Sequence, residues 1–228
     1  MWALRALGRL ARPGTTYHTL PDASEGQRGS TTGKLAGKLV ENCGDYYIGL
    51  APPPPLGRFG VINVNSAGDH VRPVEVQSVK IEPAHVAAVA GVIARLSKLK
   101  VVPTIERAYR ADVDGNGKPE VILQATHPDL NGDPADYKRH YYSLIVVLPD
   151  VPGAEPAFTG YLQAVKDMAS FEVVALDSVA DVDLDGSAEL LVRARHNEGW
   201  QTQVFAYDGK LHELFHSVGG ERECPSSN

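Results

Sequence analysis

Cysteine is scarce in this chain of 228 residues, with only Cys43 and Cys224 present. Covalent cross-linking is limited to one bridge, which would tie the tail to the body, or to none. No stretch approaches the ~20 consecutive apolar residues of a membrane span, so no membrane span is expected. No clustered basic face interleaved with aromatics is present, so nucleic acid is not an expected partner. The G-x-S-x-G elbow, the P-loop and the dinucleotide fingerprint are all missing, and no cysteine stands beside a histidine in a catalytic pattern. Met1 to Leu10 is broken by Arg5 and Arg9 and lacks the uninterrupted apolar core of a secretory signal. It reads as a tail or, being free of Asp and Glu before Asp22, as a basic amphipathic leader.

What is abundant is oxygen at fixed spacing. Asp112-Val-Asp-Gly-Asn-Gly-Lys-Pro-Glu120 and Asp181-Val-Asp-Leu-Asp-Gly-Ser-Ala-Glu189 carry side-chain oxygens at positions one, three, five and nine. A hard cation such as calcium takes six to eight oxygens at about 2.3–2.6 Å, and a single loop supplies them by curling so that alternate residues point inward. The expected ligands are Asp112, Asp114, Asn116, the Lys118 carbonyl and Glu120 in the first copy. In the second they are Asp181, Asp183, Asp185, the Ser187 carbonyl and Glu189. Gly117 and Gly186 stand at position six, where a sharp turn favours a residue free to adopt positive φ. The net charge of −6 is concentrated here, since the loops' seven carboxylates outweigh it.

An EF-hand loop ends in a bidentate Glu at position twelve and lies between helices. Here the twelfth residues are Leu123 and Val192, and the segments that follow, 121–126 and 190–195, are apolar or β-branched and suit strands. With this loop-then-strand order the chain resembles the FG-GAP/VCBS repeat family, the calcium-loop blades of integrin α-subunit propellers and many secreted bacterial proteins. Its pattern D-x-D-x-D-G-x-x-[DE] is met at 181–189, and at 112–120 with Asn116 as the fifth-position ligand. The GAP tripeptide is missing and two copies are visible. The resemblance, over residues 105 to 217, implies two propeller-blade-like, antiparallel four-stranded meanders, two calcium ions and a secreted or periplasmic setting.

The rest of the chain gives the frame. Composition marks 1–34 as a disordered leader and linker; 35–102 reads as strands plus a helix, and the resemblance makes 103–228 the two blades, expected to form one continuous globular unit with 35–102. Strands are expected at 46–50, 59–64 and 74–81, and Pro52 to Pro55 reads as a rigid connector. One helix is expected at 83–98: Pro83 suits its first turn, and Val86, Val89, Ala90, Ile93 and Leu96 form an apolar stripe. Strands then follow at 105–111, 121–126, 141–148, 157–162, 171–179, 190–196, 201–207 and 211–216. The insertion at 127–136 holds Asp129, Asn131, Asp133 and Asp136, an imperfect third cation site or a solvated turn.

One segment competes for function. His212-Glu-Leu-Phe-His216 matches H-E-x-x-H, in which histidines one helical turn apart bind zinc and the Glu activates water. It follows the Asp208-Gly209 turn and reads as a strand, where residues i and i+4 stand roughly 13 Å apart. Residue 222, where the metzincin pattern has its third ligand, is Arg222. The expectation is a mainly β, non-enzymatic, extracytoplasmic calcium-binding module, monomeric, with a protein or carbohydrate ligand; the alternative is a zinc metallopeptidase acting through this segment. Tyr46, Tyr47, Tyr141, Tyr142 and Trp200 are candidates for a binding patch.

Overall fold

The computed structural model describes residues 16–19, 32–42, 45–51, 60–62, 72–98, 100–128, 141–151, 153–163, 172–196 and 199–219. Strands β1 (Thr16–Thr19), β2 (Thr32–Asn42), β3 (Asp45–Ala51) and β4 (Gly60–Ile62) form an antiparallel sheet in the order β3-β2-β1-β4. This places β1 inside the 1–34 stretch that composition marks as linker.

Beyond this sheet the chain is two antiparallel meanders. The first runs through β7 (Ile105–Ala111), β8 (Glu120–Thr126), β9 (Tyr141–Leu148) and β10 (Ala157–Gln163). The second runs through β11 (Val173–Asp181), β12 (Glu189–His196), β13 (Gly199–Tyr207) and β14 (Leu211–Gly219). Each gains a two-residue strand on its first edge: β5 (Arg72–Pro73) pairs with β11, and β6 (Gln77–Ser78) pairs with β7. Among the described residues the sheets do not close into a barrel or a propeller.

The continuous strand expected at 74–81 is therefore replaced by a crossing. Its apolar alternation serves two cores: Val74 and Val76 pack into the layer between the two meanders, and Val79 packs under the helix. A segment that must serve both cannot stay in one sheet.

The same division explains the strands. One face of the first meander, with Tyr109, Ile122, Ile145 and Val147, packs against Leu176, Val179, Leu190 and Val192 of the second. Its other face, with Ala108, Leu123, Leu144 and Val146, packs beneath the helix. Strand β9 is thus covered on both faces, and its sequence is a nearly unbroken apolar run instead of an alternation. Tyr141 and Tyr142 are buried in it, 3% exposed each, which removes them from any surface patch.

Helix α1 (Pro83–Ser97) has the expected limits to within one residue. Pro83 occupies its first turn, the Glu82 N–H donates to His85 Nδ1 at 3.1 Å, and Lys98 ends it in the left-handed region with its N–H donating to the Ala94 carbonyl. The buried face is Val89, Val92 and Ile93; Leu96, expected in the stripe, is 44% exposed. The helix is rotated so that i, i+3 and i+4 meet the sheet. Arg95 fastens it to the first meander, pairing with Glu155 at 2.8 Å and lying over the Phe158 ring.

Strand β11 crosses β8, β9 and β10. It pairs with β12 along one side, but β5 reaches only Ala180 and Asp181 on the other. Further along that strand, two backbone N–H groups are satisfied by side chains from the first meander: Leu176 donates to Gln124 Oε1 at 3.2 Å and Val174 to Ser143 Oγ at 2.9 Å. Gln124 and Ser143 are buried polar groups in the inter-sheet layer for this reason. Leaving a buried N–H without a partner costs about 1–3 kcal/mol. Gln124→Ala and Ser143→Ala should each lower unfolding free energy by about that amount, measured by urea denaturation.

Candidate metal centre

The two acidic segments are the hairpin loops between β7 and β8 and between β11 and β12. Ladder pairing closes them identically, Ala111 opposite Glu120 and Ala180 opposite Glu189. The ninth-position glutamate is thus the first residue of the returning strand, and both glutamates are buried, 1% exposed.

Inside, four backbone-to-side-chain hydrogen bonds recur position by position. The second residue's N–H donates to the ninth-position Glu Oε2: Val113 to Glu120 at 2.8 Å, Val182 to Glu189 at 2.7 Å. The fifth residue's N–H donates to the third-position Asp Oδ1, at 3.1 Å for Asn116 to Asp114 and 3.2 Å for Asp185 to Asp183. The glycine N–H donates to the first-position Asp Oδ2, at 3.0 Å for Gly117 to Asp112 and 3.3 Å for Gly186 to Asp181. The seventh residue's N–H donates to the fifth side chain's Oδ1, at 2.7 Å for Lys118 to Asn116 and 2.8 Å for Ser187 to Asp185. Short polar side chains that accept from backbone two residues on favour such turns. The result is one curled loop, built twice.

The curl gathers carboxylates. Ligand oxygens of Asp112, Asp114 and Glu120 lie within 4.8 Å of one another, as do those of Asp181, Asp183 and Glu189. In each loop the second oxygen of the first-position aspartate, Asp112 Oδ1 and Asp181 Oδ1, is buried without a hydrogen-bond partner. Buried carboxylate oxygens are ordinarily hydrogen-bonded or ion-paired. Two acidic clusters with this donor set can hold a hard cation, with Asn116, Asp185 and the Lys118 and Ser187 carbonyls as the remaining expected donors.

The loops differ at position five. Asn116 Nδ2 donates to Asp114 Oδ2 at 2.7 Å, so the first loop partly answers its own charge. Asp185 adds a charge to the second. Burial, then the charges of Asp183, Asp185 and Asp181, push the Glu189 carboxyl up to about 7, with the Val182 N–H opposing. Burial also raises Glu120, helped by Asp114 and opposed by the Val113 N–H. The Lys118 ammonium turns outward to Asp150 at 3.6 Å, an exposed pair of little energetic weight.

Two features of the site were not readable from spacing. The loops touch: the Ala188 N–H donates to the Val113 carbonyl at 2.7 Å. Tyr207, on β13, is buried in the same core cluster as Val113 and Ala188. Burial raises its hydroxyl pKa, with further contributions from Glu120, Asp114 and Asp208.

The competing H-E-x-x-H segment lies on strand β14. His212 Nε2 is 2.8 Å from Asp208 Oδ1, across the turn that precedes it. The side chain of His216 lies outside the described residues, as do Cys43, Cys224, the 129–136 insertion, Pro52 to Pro55 and the side chains of Tyr46, Tyr47 and Trp200. Among the described residues, the groups of three ligand-type side chains are the two loops. No family model, curated protein or solved structure matches the chain.

The raised Glu189 pKa sets a pH dependence. Without a cation, folded Glu189 keeps its proton up to about pH 7, whereas the ordinary carboxyl value is 4.5. Its contribution to stability is therefore complete below about 4.5 and is lost as pH rises through about 7, at up to about 1.4 kcal/mol per pH unit. Thermal unfolding in chelator at pH 5 and pH 8 should show this loss, and Glu189→Gln should remove it.

Proposed function

We propose that this chain is a non-enzymatic, extracytoplasmic calcium-binding module of the FG-GAP/VCBS type, secreted or periplasmic, that presents a surface for adhesion or ligand binding. Two calcium ions hold the hairpin loops that turn each meander. The observation that carries this reading is the pair of equivalent oxygens, Asp112 Oδ1 and Asp181 Oδ1, each buried without a hydrogen-bond partner beside two further carboxylates.

The mechanism is electrostatic. Like charges 4 Å apart repel by about 1 to 4 kcal/mol, depending on the effective dielectric. The ladder pairs behind each loop prevent the glutamates from moving away. An all-oxygen, carboxylate-rich donor set suits calcium better than a soft metal. Its charge turns the repulsion into coordination, and binding to the folded state alone stabilises it by mass action.

Loop two binds more strongly in this reading, because it offers four carboxylates against three, whereas in loop one the neutral Asn116 stands in place of the fourth and its amide donates to Asp114. Affinities belong to the range of extracellular modules, about 10⁻⁴–10⁻³ M. Calcium at a hundredfold excess over the dissociation constant should add about 2.7 kcal/mol per site relative to chelator, read as a rise in melting temperature. Elemental analysis should find no tightly held zinc. Asp114→Ala should leave the tighter site intact and Asp183→Ala the weaker. A melting temperature indifferent to calcium would overturn the reading, and the reverse affinity order would overturn the ranking.

A further inference from the structure

We propose that the two loops form a single coupled unit, in which a cation at either loop raises the affinity of the other. The inference rests on the reading that both loops bind calcium, and adds regulation to it. The sites belong to different meanders, yet one peptide unit joins them. The Ser187 carbonyl is the expected seventh-position donor of loop two, and the Ala188 N–H is the other end of the same planar peptide. That N–H donates to the Val113 carbonyl of loop one at 2.7 Å.

The consequence is directional. Carbonyl and N–H of a trans peptide point opposite ways, so drawing the Ser187 oxygen toward an ion in loop two aims the Ala188 N–H at Val113. Coordination also polarises the amide, and hydrogen bonds in series strengthen one another. The receiving carbonyl belongs to the peptide that leads into Asp114, the third-position ligand of loop one. The N–H of Val113 holds Glu120, the ninth. Val113 and Ala188 are 0% and 1% exposed, so water does not compete for this link. By linkage, whatever an ion at loop two does for loop one, an ion at loop one does equally for loop two.

Two further observations support the pairing. A Cβ added to Gly115 would stand 2.3 Å from the Gly186 carbonyl oxygen, so position four of loop one lies directly on position six of loop two. Asp181, which opens loop two, is 4% exposed and its Oδ1 has no hydrogen-bond partner, so the linked end of loop two carries a buried oxygen fit to take a ligand. The link is also asymmetric by sequence. The residue of loop one equivalent to Ala188 is Pro119, which has no N–H to donate.

Proline at the equivalent position of loop one supplies the test. Ala188→Pro deletes the link with a residue that the same position already accommodates in the sister loop. Calcium is titrated by calorimetry into the full chain, into Asp114→Ala and Asp183→Ala to obtain each loop's affinity alone, and into each with Ala188→Pro added. The expected result is that loop one binds at least fivefold tighter in the unaltered chain, with loop two filled, than in Asp183→Ala, the ratio falling to about one with Ala188→Pro. Should Ala188→Pro fail to fold, Gly115→Ala and Gly117→Ala provide the comparison. Both replace a glycine at positive φ, 71° and 84°, but only the first meets the neighbouring loop. Gly115→Ala should lose the coupling and Gly117→Ala keep it. Each loop binding in the unaltered chain with the affinity it has alone, or a lower one, would overturn the coupling and leave the calcium reading standing; no calcium bound at either loop would overturn both.

Discussion

Crowding of like charge at the ends of two hairpins is the constraint on which the rest of the structure depends. The most buried ligand-type carboxylates, Glu120 and Glu189, are strand residues locked opposite Ala111 and Ala180. A flexible loop would spread its carboxylates apart and lose little. Here the ladders hold the ninth position and the backbone N–H groups hold the first, third and fifth, so repulsion cannot relax by motion. It relaxes by protonation, as at Glu189, and a cation held between the carboxylates could answer it in the same way. The apolar layers on either side of the first meander make that rigidity possible, because they fix the strands from which the loops spring.

Much of this was legible in the sequence, for a physical reason. Carboxylates at alternate positions of a short loop closed by a ladder pair are gathered to one side, so the acidic clusters at 112–120 and 181–189 were legible from spacing alone. The meander strands followed from runs such as Tyr141 to Leu148, bounded by turns. What spacing does not encode is which face of an element meets which neighbour. Leu96 fits the helical stripe, yet the helix meets the sheet through Val92 instead. Tyr141 and Tyr142 have the composition of a binding patch, but a strand covered on both faces buries them. The apolar alternation of Val74, Val76 and Val79 is real, but it is divided between two cores.

The inter-sheet layer shows how polar residues enter an apolar core without loss. Gln124 and Ser143 would look misplaced among Ile122, Ile145 and Val174 if only polarity were considered. They stand where β11 leaves its N–H groups unpaired by a neighbouring strand, and they supply the acceptors that a longer β5 would otherwise provide. One sheet thereby recognises the other by side-chain chemistry as well as by shape, which fixes how β11 lies across β8 to β10.

The crossing between β5 and β6 also sets an order of events. Arg72 and Pro73 leave the ribosome early, but their partners, Asp181 and Ala180, are about a hundred residues downstream. Pairings that distant are slow to form, because the intervening chain must be closed into a loop first. The first meander, its helix and β6 can assemble as soon as they emerge, whereas β5 has to wait for the second hairpin. Its arrival beside the opening residue of loop two is then a late step of synthesis, and until it happens an edge of β11 stays open to strands from other chains.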